Sequence, residues 1–377
     1  VTETPFDAVA FVEKVLANAA NGQLDDRAAI DHRKNALRAE TAARDELAAE
    51  QAPPIPAAYR GDEFLAQPDD APAWRILGLW PAGGNVVLAA QFKAGKTTLR
   101  DNVVKSWCDG GLFLGVHQLE PSPAPLFIID AEMPAITARR WLRAHDIEHP
   151  EMFTYSNIRG AAASFNPLAA TPRAQWAKRI AGHGAVLLDC LGPVMGALSL
   201  DESKAADVGR FLAAFEQLLA EAGATESLVI HHMGHLAERS RGASRLRDWP
   251  DAEWRLVRQD DDPASARYLS AFGRDVEIPE SRLEFDPDTR QLTLCGGSRK
   301  GHAAEQARNA IGELLAAQPG LSGNAIETAL ADEHGRNTVR TALKDLVKAG
   351  EVTTMTGPRN ARLHTLSSPV RRSSPPD

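Results

Sequence analysis

Between about residues 74 and 294 the chain alternates short, almost wholly apolar runs with stretches whose apolar residues recur at helical spacing. The runs at 85–89, 126–130, 185–188 and 228–231 are too short for helices and apolar at successive positions. They predict strands buried on both faces, as in a parallel sheet covered by helices. Further runs follow at 254–257, 266–271, 281–285 and 291–294. Turn residues such as Asp286, Pro287 and Asp288 separate the last three, which predicts an antiparallel end to the same sheet. The expected class is therefore α/β with a mostly parallel central sheet.

Other regions flank this core. In residues 1–56, Phe6, Val9, Val12 and Val15 keep helical spacing, a charged stretch runs from Asp25 to Glu50, and Pro53, Pro54 and Pro56 end it. This predicts an N-terminal helical segment and linker. The core domain is expected over 57–298, followed by a Gly/Ser/Lys linker at 296–301. Helices are then predicted at 303–317, 322–332 and 337–349, and a hairpin from 351–355 and 361–366. Three helices and a hairpin read as a winged helix-turn-helix over 299–366. The Ser-, Pro- and Arg-rich residues 367–377 predict a disordered tail.

Charge sharpens the last module. The net charge of −8 excludes a polycation, so any contact with nucleic acid needs a local basic patch. Arg336, Arg340, Lys344 and Lys348 recur every fourth residue of the third predicted helix, opposite Val339, Leu343, Leu346 and Val347. Arg359 and Arg362 add charge at the hairpin. A basic helix entering the major groove of duplex DNA is the expectation, and a protein-contact module with a solvated basic face is the alternative. Cys108, Cys190 and Cys295 match no metal or redox spacing and suit a reducing cytoplasm. No apolar run approaches the roughly 20 residues that span a bilayer, so no membrane partner is expected.

The chemistry begins where the first strand runs into Ala90, Gln91, Phe92, Lys93, Ala94, Gly95, Lys96, Thr97 and Thr98. This matches the P-loop at Gly95, Lys96 and Thr97, with Ala90 in place of its first glycine. Backbone N–H groups of such a loop and the following helix N-terminus face phosphates, the lysine reaches the β- and γ-phosphates, and the threonine hydroxyl binds magnesium. ATP and Mg2+ are the expected ligands. Ala90 fits only with a negative φ, and Lys93 is expected to face solvent. The strand at 126–130 ends in Asp130, closely followed by Glu132, a candidate to orient or deprotonate the attacking water. Asp189 ends the next strand and is the candidate to hold magnesium through water.

The motifs at 90–98, 130–134 and 230–232, in this order and spacing, resemble those of RecA-like ATPases, and among them the RepA-type hexameric helicases and related phage and plasmid ATPases. The resemblance covers about 74–294. It implies a RecA-like core that assembles as a homo-oligomer, a hexamer, and hydrolyses ATP between subunits. It assigns γ-phosphate sensing to His232, and an arginine finger directed at the adjacent subunit's ATP to Arg258, with Arg255 and Arg247 behind it. It also implies single-stranded DNA in a central channel, touched by loops after Asp189 and His232. The stretch 235–245 is basic, whereas 192–203 carries little positive charge. No acidic or cysteine partner lies near His231, His232 and His235 in sequence, so they are not expected to bind metal.

The leading expectation is thus a replicative helicase or initiator-associated ATPase. An ATP-gated DNA-binding regulator or recombination accessory is the second. A small-molecule P-loop kinase is the third, against which Glu132 and the winged helix both count.

Overall fold

The computed structural model describes residues 26–51, 57–68, 74–233, 245–260, 262 and 265–367. The helical pattern around Phe6–Val15, the Pro53–Pro56 stretch, most of the basic stretch 235–245, including His235, and the tail after 367 lie outside the described residues. The chain divides into a unit spanning residues 1–69 and another spanning 70–377. The first holds α1 (Asp26–Gln51) and α2 (Gly61–Leu65). At the start of α2, the Arg60 N–H donates to Glu63 Oε2 at 3.2 Å, closing a first turn that also carries Asp62.

The second unit is built on a nine-stranded sheet. In chain order its strands are β1 (Asn85–Ala90), β2 (Leu126–Asp130), β3 (Phe153–Asn157), β4 (Ala185–Asp189), β5 (Glu226–His232), β6 (Ala252–Arg258), β7 (Arg267–Gly273), β8 (Glu277–Phe285) and β9 (Leu292–Gly296). Across the sheet they lie in the order β9-β8-β7-β6-β1-β5-β4-β2-β3. Pairs from β6 through β1 to β3 are parallel, and β6 to β9 pair antiparallel.

Alternation along each strand explains why both faces are covered. Val86, Leu88, Ile128, Leu187 and Ile230 point to one core, where Leu99, Val103 and Trp107 of α3 (Lys96–Asp109) and Leu142 of α4 (Ala135–Ala144) meet them. Val87, Phe127, Ile129, Leu188 and Val229 point to the other. There they meet Trp176 and Ile180 of α5 (Ala170–Ile180), Val194 of α6 (Leu191–Ala197) and Phe211 and Phe215 of α7 (Ala205–Ala222). A further short helix, α8 (Arg245–Asp248), buries Leu246 in the same core.

The four parallel strands expected in the core are all present, and so is the antiparallel end. Within this sheet, one strand was not expected. β3 pairs parallel with β2 at the sheet edge, and its residues Phe-Thr-Tyr-Ser-Asn are only partly buried. An edge strand lacks the apolar run of its buried neighbours, so hydrophobicity does not mark it.

In the C-terminal module, α9 (Arg299–Ala317), α10 (Gly323–Ala329), α11 (Ala331–His334) and α12 (Arg336–Lys348) precede the hairpin. The segment expected as one helix over 322–332 is two, broken at Leu330. The hairpin strands β11 (Val352–Thr356) and β12 (Arg362–Leu366) pair in register, and β10 (Leu321–Ser322) adds a third strand. Ala307, Ile311, Leu315, Ile326, Val339, Leu343 and Leu346 make a core of their own.

Candidate nucleotide site

The P-loop strand and the five strands that run parallel to it end on one rim of the sheet, where open α/β sheets take ligands. Ala90 is fully buried and still part of the ladder, opposite His232 of β5 and Leu256 of β6. Its carbonyl accepts from the Met233 N–H at 2.8 Å, and the next N–H, from Gln91, reaches Leu256 O at 3.1 Å. The left-handed turns of the loop fall on Lys93 (φ 58°) and Gly95 (φ 100°), not on Ala90. Position 90 therefore needs no glycine, and the condition placed on it is met. Phe92 and Lys93 are exposed, with Lys93 Nζ 5.3 Å from the Phe92 ring. Ala94 is buried, and its N–H closes the turn onto Gln91 O at 3.1 Å. Lys96 opens α3, with Thr97 and Thr98 in its first turn, so the positive end of the helix lies at the loop.

Three sequence-distant groups meet there. Lys96 Nζ lies 2.9 Å from His232 Nε2 and 3.5 Å from Glu132 Oε2, and His232 Nε2 lies 3.4 Å from Glu132 Oε1. The hydrogen bond from His232, against the opposing effect of burial, and then the Lys96 charge bring the Glu132 carboxyl down to about 2. Glu132 is ionised at neutral pH. His231, the preceding residue of β5, is fully buried on the opposite face, 3.9 Å from Glu202. Donor atoms of Glu132, Cys190 and His232 lie within 4.8 Å of one another. The Lys96 ammonium beside two of them disfavours a cation at that point.

Asp189 is fully buried at the end of β4. Its Oδ2 accepts from Arg100 Nη1 at 2.7 Å, while Oδ1 has no hydrogen-bond partner. An orphaned buried carboxylate oxygen near the Thr97 end of α3 fits a magnesium-bound water, so Thr97 and Asp189 suit that ion. Burial raises the Asp189 carboxyl to about 6, with Arg100 opposing the shift.

Arg100 carries no motif that marks it in the sequence. It reads as a surface charge on a helix but lies at no exposure, bonded to Asp101, Asp130 and Asp189. The signal was its spacing: four residues after Lys96 and three before Val103, it shares the sheet-facing side of α3.

Arg258 ends β6 beside the P-loop of its own chain, its N–H donating to Gln91 Oε1 at 2.8 Å. Arg267 stands opposite it on β7, and its side chain lies 3.5 Å from where a Cβ on Gly95 would sit. That approach was not foreseen either. Burial and then the neighbouring Arg258 charge lower the Arg267 pKa. Arg255 pairs with Glu253 at 2.7 Å, and Arg247 lies on α8.

In the C-terminal module, Arg336, Arg340, Lys344 and Lys348 are exposed along α12, and Arg362 is exposed on β12. Arg340 is held bidentately by Glu327 of α10 at 2.7 and 2.9 Å. Arg359 lies in the turn Pro358–Asn360, and its side chain is outside the described residues.

Residues 51–238 match a family model described as an AAA domain, AAA_25. The chain carries a P-loop NTPase domain. No curated protein matches it. Among solved structures, it is similar to a KaiC-like protein from the hyperthermophilic archaeon Pyrococcus horikoshii, at 13% identity and a TM-score of 0.43. That match covers 58% of this chain and 93% of the other. Such a domain takes a nucleoside triphosphate with magnesium. Among the described residues no helix is long and apolar enough to cross a membrane.

Proposed function

We propose that this protein is an ATP-hydrolysing, oligomeric DNA-acting motor or switch, a RepA-like replicative helicase or initiator-associated ATPase. The convergence of Lys96, Glu132 and His232 at the P-loop carries the reading. On ATP binding, the Lys96 ammonium moves to the β- and γ-phosphates and releases Glu132. The ionised Glu132 then orients the attacking water and accepts its proton. His232 donates to the γ-phosphate and registers its loss. Thr97, and Asp189 through water, would hold magnesium, which would supply charge neutralisation for the transferring phosphoryl group. Arg258, from a neighbouring copy, stabilises charge on the transferring group. The basic face of α12, with Arg336, Lys344 and Lys348 exposed, supports docking on duplex DNA. Single-stranded DNA would run through the channel of a hexameric ring.

One observation favours the second reading, an ATP-gated DNA-binding regulator without unwinding. The segment after Asp189, from α6 to Ser203, contains no Lys or Arg to track a phosphate backbone.

Hydrolysis measured with and without single-stranded and duplex DNA, for the parent, Lys96→Ala and Glu132→Gln, tests the proposal. DNA-stimulated turnover in the parent, abolished in both variants while Glu132→Gln still binds ATP, is expected. Strand displacement then separates motor from regulator. Turnover indifferent to DNA removes the DNA-acting role, and absence of turnover removes the role given to Glu132.

A further inference from the structure

Beneath the P-loop lies a charge cluster of which the nucleotide chemistry itself uses only Asp189. Arg100 is fully buried among three carboxylates. Its Nε and Nη2 donate to Asp101 Oδ1 at 2.9 and 2.8 Å. Its Nη1 donates both to Asp130 Oδ2 and to Asp189 Oδ2, each at 2.7 Å. Asp130 and Asp189 are register partners at the ends of adjacent parallel strands β2 and β4. One nitrogen of the P-loop helix thus ties two strand ends together.

Asp130 is saturated. Its Oδ2 also accepts from the Tyr155 hydroxyl at 2.8 Å, and its Oδ1 accepts the N–H groups of Glu132 and Met133 at 2.9 and 2.8 Å. Four donors on one carboxylate leave no lone pair for chemistry. What Asp130 does is fix the backbone of Glu132. Asp189 is bound through one oxygen only, and its buried Oδ1 has no hydrogen-bond partner.

The cluster is an expensive way to fill space. Burying an arginine among carboxylates is often no better for stability than an apolar packing of equal volume, and α3 uses Leu99, Val103 and Trp107 to pack elsewhere. We propose that Arg100 is a positioning residue for hydrolysis. It holds the helix that grips the triphosphate in register with the strand ends that carry Glu132 and Asp189. Tyr155, from the edge strand β3, secures the same Asp130 oxygen from the other side. This inference rests on the reading of Glu132 as the residue that activates water.

Two substitutions test it in the full-length chain. Arg100→Lys keeps the charge but loses the shared Nη1, and Tyr155→Phe removes one donor to Asp130 without stranding a buried cation. Folding is checked by circular dichroism and thermal melting, and affinity with a fluorescent N-methylanthraniloyl ATP. The expected result for Arg100→Lys is nucleotide affinity within about threefold of the parent with kcat lowered ~10²-fold, the cost of a misplacement near 1 Å. Half-saturating magnesium should rise. Tyr155→Phe should lower kcat several-fold at unchanged KM.

The parent and Glu132→Gln are run alongside. If Glu132→Gln turns over like the parent, or the parent does not turn over, the site reading fails and this inference with it. If Glu132→Gln is inactive but the folded Arg100→Lys and Tyr155→Phe both keep the parent kcat, positioning is overturned and the reading stands. Should Arg100→Lys fail to fold, Tyr155→Phe decides alone: parent-like kcat overturns the proposal.

Discussion

At the scale of single residues, the loop separates two positions that a motif treats alike. Ala90 is strand, fully buried, and paired on both sides. Gly95 has a φ of 100°, and an added Cβ would meet Arg267 Nε and Cδ at 3.5 and 3.6 Å. Space is adequate there, so the backbone conformation sets the penalty. We expect Gly95→Ala to cost about 1–2 kcal/mol from left-handed strain and to abolish the ATP-induced rise in melting temperature. Ala90→Gly should cost about 0.5–1 kcal/mol through chain entropy and leave that rise intact. Thermal melts with and without ATP and magnesium separate the two, and equal behaviour of both variants would refute the assignment.

At the scale of elements, α4 ends at a histidine with unusual surroundings. His145 is buried, and burial, followed by the charges of Arg290, Lys105 and Arg100, lowers its pKa to about 4. The folded chain resists a proton that the unfolded chain takes up near pH 6.5. The resulting stabilisation is complete above about pH 6.5 and is lost as pH falls towards 4. Denaturant titrations between pH 7 and 4.5 should show stability falling with pH, and His145→Gln should flatten that slope. Identical slopes for parent and variant would place the acid sensitivity elsewhere. The same scale explains why four basic residues on α12 are not equivalent. Glu327 engages Arg340, so in the proposed docking on DNA the charge of this face would come from Arg336, Lys344 and Lys348.

At the scale of the molecule, the C-terminal module carries its own apolar core, and the ATPase sheet is covered by two others. Nucleotide binding should therefore survive loss of the C-terminal module. A chain ending at residue 298 is expected to keep ATP-dependent thermal stabilisation and to lose duplex DNA affinity, read by fluorescence anisotropy at several salt concentrations. With a net charge of −8, the full chain should bind DNA only through a local patch, so its affinity should fall steeply with salt. Retained affinity in the shortened chain would move the DNA contact to the ATPase domain.

Strands β1, β2, β4 and β5, the P-loop and the carboxylates Glu132 and Asp189 were legible in the sequence because each rests on a local cause. Strands buried on both faces read as unbroken apolar runs, and a phosphate loop needs its residues at consecutive positions. The helices and hairpin of the C-terminal module were legible for the same reason, being set by periodicity and turn residues. Edge strand β3 was not, since partial exposure dilutes its hydrophobicity. Lys96, Glu132 and His232 were grouped around one nucleotide by resemblance, but their direct contacts, and the approach of Arg267 to Gly95, were not legible, because those contacts cross strands far apart in the chain. Arg100 shows the difference most clearly. Along the chain it is one of many charged residues on a helix. Only when the parallel strands bring Asp130 and Asp189 side by side does the low-dielectric interior require a single buried cation between them.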